Sequence, residues 1–217
     1  MRVNAREVFQ SIAEIGVVPI VRSATADAAI HAVEACLDGG IAVAEITMTV
    51  PGAVPALEKL AARFAGKMTL GAGTVLDAET ARICILAGAE FIVTPNLRIA
   101  TIEMAKRYSK AIFPGALTPT EALTAWEAGA DAIKIFPCGN VGGAKYIKAL
   151  KGPFPQIEMM PTGGVTLDTI GGFFKAGACA VGVGSELADS TLMREGRFAE
   201  IEKRARQFLE AAAAARA

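Results

Sequence analysis

Histidine is nearly absent from this chain, which has a single histidine among its 217 residues. A catalytic zinc site usually takes two or three imidazole ligands. His31 stands alone within a helical pattern, where a surface role is expected. The scarcity of histidine therefore excludes a histidine-rich metal site, and any acid–base chemistry must come from carboxylates or lysine.

An excess of one charge, a long apolar run and paired cysteines are missing as well. Lys+Arg and Asp+Glu number 22 each, which argues against a nucleic-acid partner. The longest uncharged stretch, residues 46–57, contains two prolines and is too short to span a bilayer. Charges at Arg6, Glu7 and Glu14 argue against a secretory signal. The four cysteines are scattered without a C-x-x-C pair, as expected of reduced thiols in a cytoplasmic protein.

A turn recurs along the chain, as Asp-Gly-Gly at 38–40 and as Ala-Gly-Ala at 87–89, 128–130 and 176–178. Each turn follows an amphipathic helical stretch and precedes an apolar, β-rich run. Its glycine suits the left-handed position that closes a helix. Successive turns are separated by close to twice the length of one βα unit, so the repeating unit is βα.

This period predicts a single domain, residues 1–217, in which strands and helices alternate. Eight strands are expected, at 17–22, 41–47, 68–74, 90–95, 111–116, 132–137, 157–162 and 180–184. Further helices are expected at about 4–15 and 197–214, and Asp77, Thr118 and Thr166 are expected to cap helices. The pattern predicts a (β/α)8 TIM barrel with an additional N-terminal helix. A doubly wound open sheet is the alternative.

One lysine lies within a predicted strand, whereas the others fall on helical patterns or in loops. Lys134 interrupts the apolar run at 130–137, which otherwise resembles a short buried strand. Burial disfavours the charged ammonium form of a lysine, and a neutral amine is a nucleophile for carbonyl carbon. Schiff-base chemistry is therefore the leading hypothesis for Lys134, and a snorkelling or ion-paired core lysine is the alternative.

Charged residues near the carboxyl ends of the predicted strands are few, and this is the end where such barrels carry their chemistry. Arg22 ends the first strand, Glu45 lies late in the second and Lys134 lies in the sixth. The alternation of side chains along a strand predicts that Glu45 and Lys134 both point into the barrel. That geometry suits an amine nucleophile beside a proton-transfer carboxylate, although a structural ion pair would share it.

Glycine-rich segments end the last two predicted strands, at 161–165 and 182–185. Loops in these two positions form the recurrent phosphate site of the barrel fold, where backbone amides favour an anion. Phosphate binding is therefore predicted for this pair of loops, against the alternative of ordinary glycine turns.

Several segments together resemble one family over essentially the whole chain. They are Ala44-Glu45-Ile46-Thr47, Gly71-Ala72-Gly73-Thr74-Val75-Leu76, Ile92-Val93-Thr94-Pro95-Asn96, Phe113-Pro114-Gly115, Ile133-Lys134-Ile135-Phe136-Pro137, Gly152-Pro153-Phe154-Pro155, Pro161-Thr162-Gly163-Gly164 and Gly182-Val183-Gly184-Ser185. In this order and at this spacing, the series resembles the 2-keto-3-deoxy-6-phosphogluconate (KDPG) and 4-hydroxy-2-oxoglutarate (KHG) aldolases, which are class I enzymes.

The resemblance implies a role for each matching position. Lys134 takes the Schiff-base position and Glu45 the general acid–base position. The substrate-binding positions are Thr74 and Pro95 around the pyruvyl carboxylate, Phe136 close to the Schiff-base lysine in the sequence, and Thr162, Gly163, Gly164, Gly184 and Ser185 at the phosphate end.

One position departs from the pattern of the family. Many members carry an arginine two residues beyond the threonine that ends the second strand, where it contacts the substrate carboxylate. Here that position is Thr49. We expect Arg22, at the end of the first strand, to supply the missing positive charge.

The resemblance also implies an activity and a set of partners. It implies an aldehyde lyase of the Entner–Doudoroff pathway that cleaves KDPG to pyruvate and glyceraldehyde 3-phosphate, requires no metal or organic cofactor, and forms a homotrimer. Cleavage of 4-hydroxy-2-oxoglutarate or of the galactonate epimer of KDPG is an alternative activity. A non-catalytic phosphosugar-binding barrel is an alternative from another class. No nucleic-acid or membrane partner is expected.

Overall fold

The computed structural model describes residues 4–217 as an α/β fold of parallel strands. The strands are β1 (Val17–Val21), β2 (Val43–Thr47), β3 (Thr69–Gly73), β4 (Phe91–Val93), β5 (Ala111–Phe113), β6 (Gly115–Ala116), β7 (Ile133–Ile135), β8 (Met159–Pro161) and β9 (Val181–Val183). The α-helices are α1 (Ala5–Ile15), α2 (Ala26–Asp38), α3 (Ala53–Arg63), α4 (Ala78–Leu86), α5 (Ile99–Arg107), α6 (Pro119–Glu127), α7 (Ala144–Lys151), α8 (Ile170–Lys175), α9 (Ser190–Arg194) and α10 (Phe198–Arg216).

The strands form two curled parallel sheets, which keep the same order around the molecule as along the chain. The larger sheet has the order β5-β4-β3-β2-β1-β9, and the smaller has the order β6-β7-β8. Every ladder is parallel. All strands therefore direct their carboxyl ends to the same side, and the helices connect them over the outside.

The prediction of one continuous strand at 111–116 was wrong, because Pro114 divides it. Proline has no backbone N–H and cannot donate to a ladder. The chain before Pro114 pairs with β4 as β5, and the chain after it pairs with β7 as β6. The Pro114 carbonyl still accepts a hydrogen bond from the Lys134 N–H at 2.9 Å, so the interruption joins the two sheets closely.

The helix caps agree with the predictions at two of three positions. Asp77 caps α4 by accepting from the Thr80 N–H at 2.6 Å, and Thr118 forms a capping box with Glu121 at the start of α6. The prediction for Thr166 was wrong, because α8 begins only at Ile170. Thr166 instead begins the turn that precedes α8, where its hydroxyl accepts a hydrogen bond from the Thr169 N–H at 3.2 Å.

The first and last helices are joined by one arginine. Helix α1 is present as predicted and buries Val8 and Ile12. Its final carbonyl groups lack partners within the helix, and the guanidinium of Arg216 donates to Ala13 O at 2.6 Å and to Glu14 O at 2.7 Å. Within residues 4–217, none of the helices combines the length and the apolar character that a membrane crossing needs.

Candidate active site

The structure brings Lys134 and Glu45 together from strands of different sheets. Glu45 lies on β2, whereas Lys134 lies on β7 between β6 and β8. Lys134 Nζ is 3.9 Å from Glu45 Oε1, and their side chains are 6% and 0% exposed. Both side chains therefore point into one interior, as the alternation along each strand predicted.

The Glu45 carboxyl group is buried without hydrogen-bond donors. Neither of its oxygens has a hydrogen-bond partner. Burial raises the pKa of Glu45 above the ordinary glutamate value, and the positive charges of Lys134 and Arg22 only partly oppose that shift. The carboxyl therefore holds its proton to a higher pH than a surface glutamate does, which suits a group that must both give and take a proton.

Two threonine hydroxyls extend the polar lining along β2. The Thr47 hydroxyl donates to Val21 O at 3.3 Å and lies 2.7 Å from the Thr49 hydroxyl. Arg22 follows Val21 and is solvent-exposed. Thr47 was not among the predicted site residues, although it shares the strand face of Glu45. Thr49, the position that departs from the family pattern, thus belongs to a hydroxyl pair at the end of β2, next to the last residue of β1, which directly precedes Arg22 in the chain.

Thr74 has an unusual backbone conformation at the end of β3. Its φ is 54°, in the left-handed region that a β-branched residue rarely adopts. Such strain is commonly found at functional sites, where the surrounding structure holds it in place. Pro95 occupies the corresponding place after β4 and is half-buried. Thr94, which precedes it, accepts a hydrogen bond from the Gly115 N–H at 3.2 Å, so the two strand ends are held together.

The remaining predicted residues line the same end of the sheets. Lys134 Nζ lies 5.4 Å from the ring centroid of Phe136, which covers the amine from the carboxyl end of β7. Thr162, directly after β8, is buried, and its hydroxyl has no hydrogen-bond partner. The Thr162 hydroxyl and the Glu45 carboxyl group, both buried without partners, are groups that a polar ligand could satisfy.

The two glycine-rich loops lie side by side. A parallel bridge pairs Thr162 with Gly182, so the segment after β8 runs beside β9. Gly163 and Gly164 have φ values of 88° and 77°, which only glycine adopts readily. Gly184 and Ser185 follow β9 at the same end. Successive backbone N–H groups in such a glycine turn can point toward an anion, as a phosphate cradle requires.

A separate groove of about 950 Å³ opens at the amino ends of β2 to β5. Lys67, Glu90 and Lys110 are among its lining residues, and none of the predicted site residues lines it. It therefore lies away from the Lys134–Glu45 pair, at the opposite end of the strands.

Comparison with known proteins identifies the family of this chain. The family model for KDPG and KHG aldolases matches residues 8–204. The chain belongs to the KDPG and KHG aldolase family. This confirms the resemblance derived from the sequence, and it assigns the chain to a family of carbon–carbon lyases.

Two curated relatives carry names for two epimeric substrates. The 2-dehydro-3-deoxy-6-phosphogalactonate aldolase of Escherichia coli K12 is 37% identical, over 80% of this chain and 85% of its own. The 2-dehydro-3-deoxy-phosphogluconate aldolase of Haemophilus influenzae is 30% identical, over 97% of this chain and 99% of its own.

Two solved structures have a closely similar fold. A native KDPGal structure superposes with a TM-score of 0.83 at 35% identity, covering 92% of this chain and 95% of its own. The KDPG aldolase of Legionella pneumophila, with pyruvate captured as a covalent carbinolamine, has a TM-score of 0.83 at 27% identity and the same coverage.

The strain at Thr74 yields a test of whether this backbone serves the site. Replacing Thr74 with glycine should raise the free energy of unfolding by about 0.5–1 kcal/mol, because glycine adopts the left-handed conformation without steric strain. The same substitution should lower turnover if the strained backbone serves the site. Ser109 is the matched control, since it has a φ of 53° at the amino end of β5. Ser109→Gly should give a similar stability gain in chemical denaturation with unchanged turnover. Equal turnover in both variants would remove Thr74 from the site.

Proposed function

We propose that this protein is a class I aldolase that cleaves 2-keto-3-deoxy-6-phosphogluconate to pyruvate and glyceraldehyde 3-phosphate. The observation that carries the proposal is the buried Lys134 amine, 3.9 Å from a buried carboxyl group. It is supported by the family assignment and by relatives named as aldolases of this substrate. No metal or organic cofactor takes part in the proposed reaction.

The proposed mechanism uses Lys134 as the nucleophile. Its neutral amine adds to the C2 ketone of the sugar acid, and loss of water from the resulting carbinolamine leaves an iminium ion. Glu45 takes the proton of the C4 hydroxyl as the C3–C4 bond breaks, and the electron pair of that bond passes to C3 to form an enamine. Glyceraldehyde 3-phosphate leaves, Glu45 returns a proton to C3, and hydrolysis of the new iminium releases pyruvate and Lys134.

The pyruvyl end of the substrate is assigned to the carboxyl ends of β1, β3, β4 and β7. Thr74, Pro95 and Phe136 surround it in this proposal, and Arg22 pairs with its carboxylate. The assignment of Arg22 is supported by its effect on the pKa of Glu45, which requires the guanidinium charge to be close to the site. It also replaces the charge missing at Thr49.

The phosphate end is assigned to Thr162, Gly163, Gly164, Gly184 and Ser185. The assignment is supported by the left-handed pair Gly163–Gly164 and by the bridge that holds the two loops together. In this arrangement backbone N–H groups would meet the phosphate, and no lysine or arginine from either segment is required.

We further propose that the two sheets close into one (β/α)8 barrel domain with α1 as an additional N-terminal helix. The single proline between β5 and β6 and the bridge between Thr162 and Gly182 support closure at both seams. We also propose a cytoplasmic homotrimer. Support for an oligomer comes from a 34%-identical chain within a cage designed by fusing symmetric oligomeric domains.

Borohydride reduction in the presence of pyruvate tests the proposed chemistry. The wild-type protein should gain one covalent pyruvyl adduct, which peptide mass spectrometry should locate at Lys134. Lys134→Arg should gain no adduct. Lys151→Arg, which replaces a lysine outside the site, should react like the wild type. An unmodified wild-type protein would instead indicate a non-catalytic phosphosugar-binding barrel.

The galactonate epimer of KDPG is the second candidate substrate, because the phosphogalactonate aldolase of Escherichia coli is 37% identical to this chain. Comparing kcat/KM for both epimers and for 4-hydroxy-2-oxoglutarate decides between them. We expect the gluconate epimer to give the highest value, and a higher value for the galactonate epimer would transfer the assignment to that substrate.

Arg22 should affect both carboxylate binding and the ionisation of Glu45. Arg22→Gln should raise the KM for pyruvate in the condensation direction about tenfold, since a charged hydrogen bond is lost. Because the Arg22 charge lowers the pKa of Glu45, its removal should move the acidic limb of the rate profile to higher pH. In the wild type, this limb should already lie above the ordinary glutamate value of about 4.3.

Arg6→Gln is the control for this experiment, because Arg6 is exposed on α1. It should leave both the KM and the pH profile unchanged. An unchanged KM in Arg22→Gln would withdraw Arg22 from the carboxylate site.

A further inference from the structure

Gly73 lies at the end of β3 against the Glu45 side chain. A Cβ atom added to Gly73 would lie 2.5 Å from Glu45 Cγ and closer still to its Cδ and Oε1. These are the three nearest atoms, so the obstacle to a side chain at this position is the carboxyl group itself. Contacts this short do not occur between real atoms, and one of the two groups would have to move.

The backbone at Gly73 does not require glycine. Gly73 lies in the parallel ladder opposite Thr47, and it is not among the residues with positive φ. An alanine could therefore adopt its conformation without strain. The glycine is explained by the space it leaves and not by conformational freedom.

That space matters because no hydrogen bond holds the carboxyl group. Both Glu45 oxygens lack partners, and the Lys134 amine at 3.9 Å is beyond hydrogen-bond distance. We propose that Gly73 is a positioning residue for Glu45, whose missing side chain forms the recess that sets the distance from the carboxyl group to Lys134.

The catalytic consequence rests on the proposed function of Glu45, whereas the recess rests on geometry alone. Displacing a reacting group by about 1 Å can cost about 100-fold in rate. Gly73→Ala should push the carboxyl toward the substrate space and lower kcat by about this factor. Lys134 is untouched, so the final yield of the borohydride-trapped pyruvyl adduct should be retained.

Gly71 provides a matched control two residues earlier on the same strand and the same face. A Cβ at Gly71 would meet the ring of Phe91, 2.5 Å from its Cδ2 atom, and all three of its nearest atoms would belong to that ring. Gly71→Ala should therefore be destabilised by crowding of the core, while the folded protein keeps kcat within a few-fold of the wild type.

A double-mutant cycle tests the recess directly. Unfolding free energies are measured for Gly73→Ala and Gly71→Ala, each with Glu45 present and with Glu45→Ala. Removing Glu45 should relieve the destabilisation by Gly73→Ala and leave that by Gly71→Ala unchanged. If Gly73→Ala cannot fold with Glu45 present, folding of the Gly73→Ala/Glu45→Ala variant supports the proposal in the same way.

Two results would overturn the proposal: equal destabilisation by Gly73→Ala with and without Glu45, including failure of both to fold, or an unchanged kcat in Gly73→Ala. A different result would overturn the proposed function. A wild-type protein without a pyruvyl adduct or turnover would reject the aldolase assignment, while the stability cycle would still decide whether Gly73 forms the recess.

Discussion

Burial of one amine and one carboxyl group in a common apolar interior is the constraint on which this molecule depends. Lys134 and Glu45 come from two different sheets and meet at 3.9 Å. Burying an ionisable pair with few hydrogen bonds is rarely favourable for stability. The surrounding parallel strands must supply the stability that this pair does not, and their apolar side chains are almost completely buried.

The polar atoms at the centre are left available to a ligand. The Glu45 oxygens and the Thr162 hydroxyl have no partners, although buried polar groups usually find them. Small residues make this arrangement possible, because a Cβ at Gly73 would collide with Glu45 and one at Gly182 would collide with Thr162. The strained backbone of Thr74 lies at the same end, so a strained residue accompanies these unsatisfied groups where the proposed substrate binds.

The opposite end of the sheets uses charge in a different way. There Lys106 donates to both carboxylate oxygens of Asp131 at 2.7 Å, and Asp131 accepts from the Ile112 N–H at 2.9 Å. Both oxygens of this carboxylate are hydrogen-bonded, and its side chain is 15% exposed, in contrast to Glu45. The two ends thus differ in whether their charged groups are satisfied, as expected if the amino ends stabilise the fold and the carboxyl ends carry the proposed chemistry.

The sequence by itself determined the alternation of strands and helices, the unusual position of Lys134 and the shared direction of Lys134 and Glu45. Local patterns suffice for these, because helix caps and the period of two along a strand depend only on neighbouring residues. The division of the strand at Pro114, the turn at Thr166 and the recess at Gly73 were decided by tertiary structure. Sheet curvature and packing between distant segments determine which side chains meet. The local periodicity of the sequence carries no information about the distance between residues that are far apart in the chain.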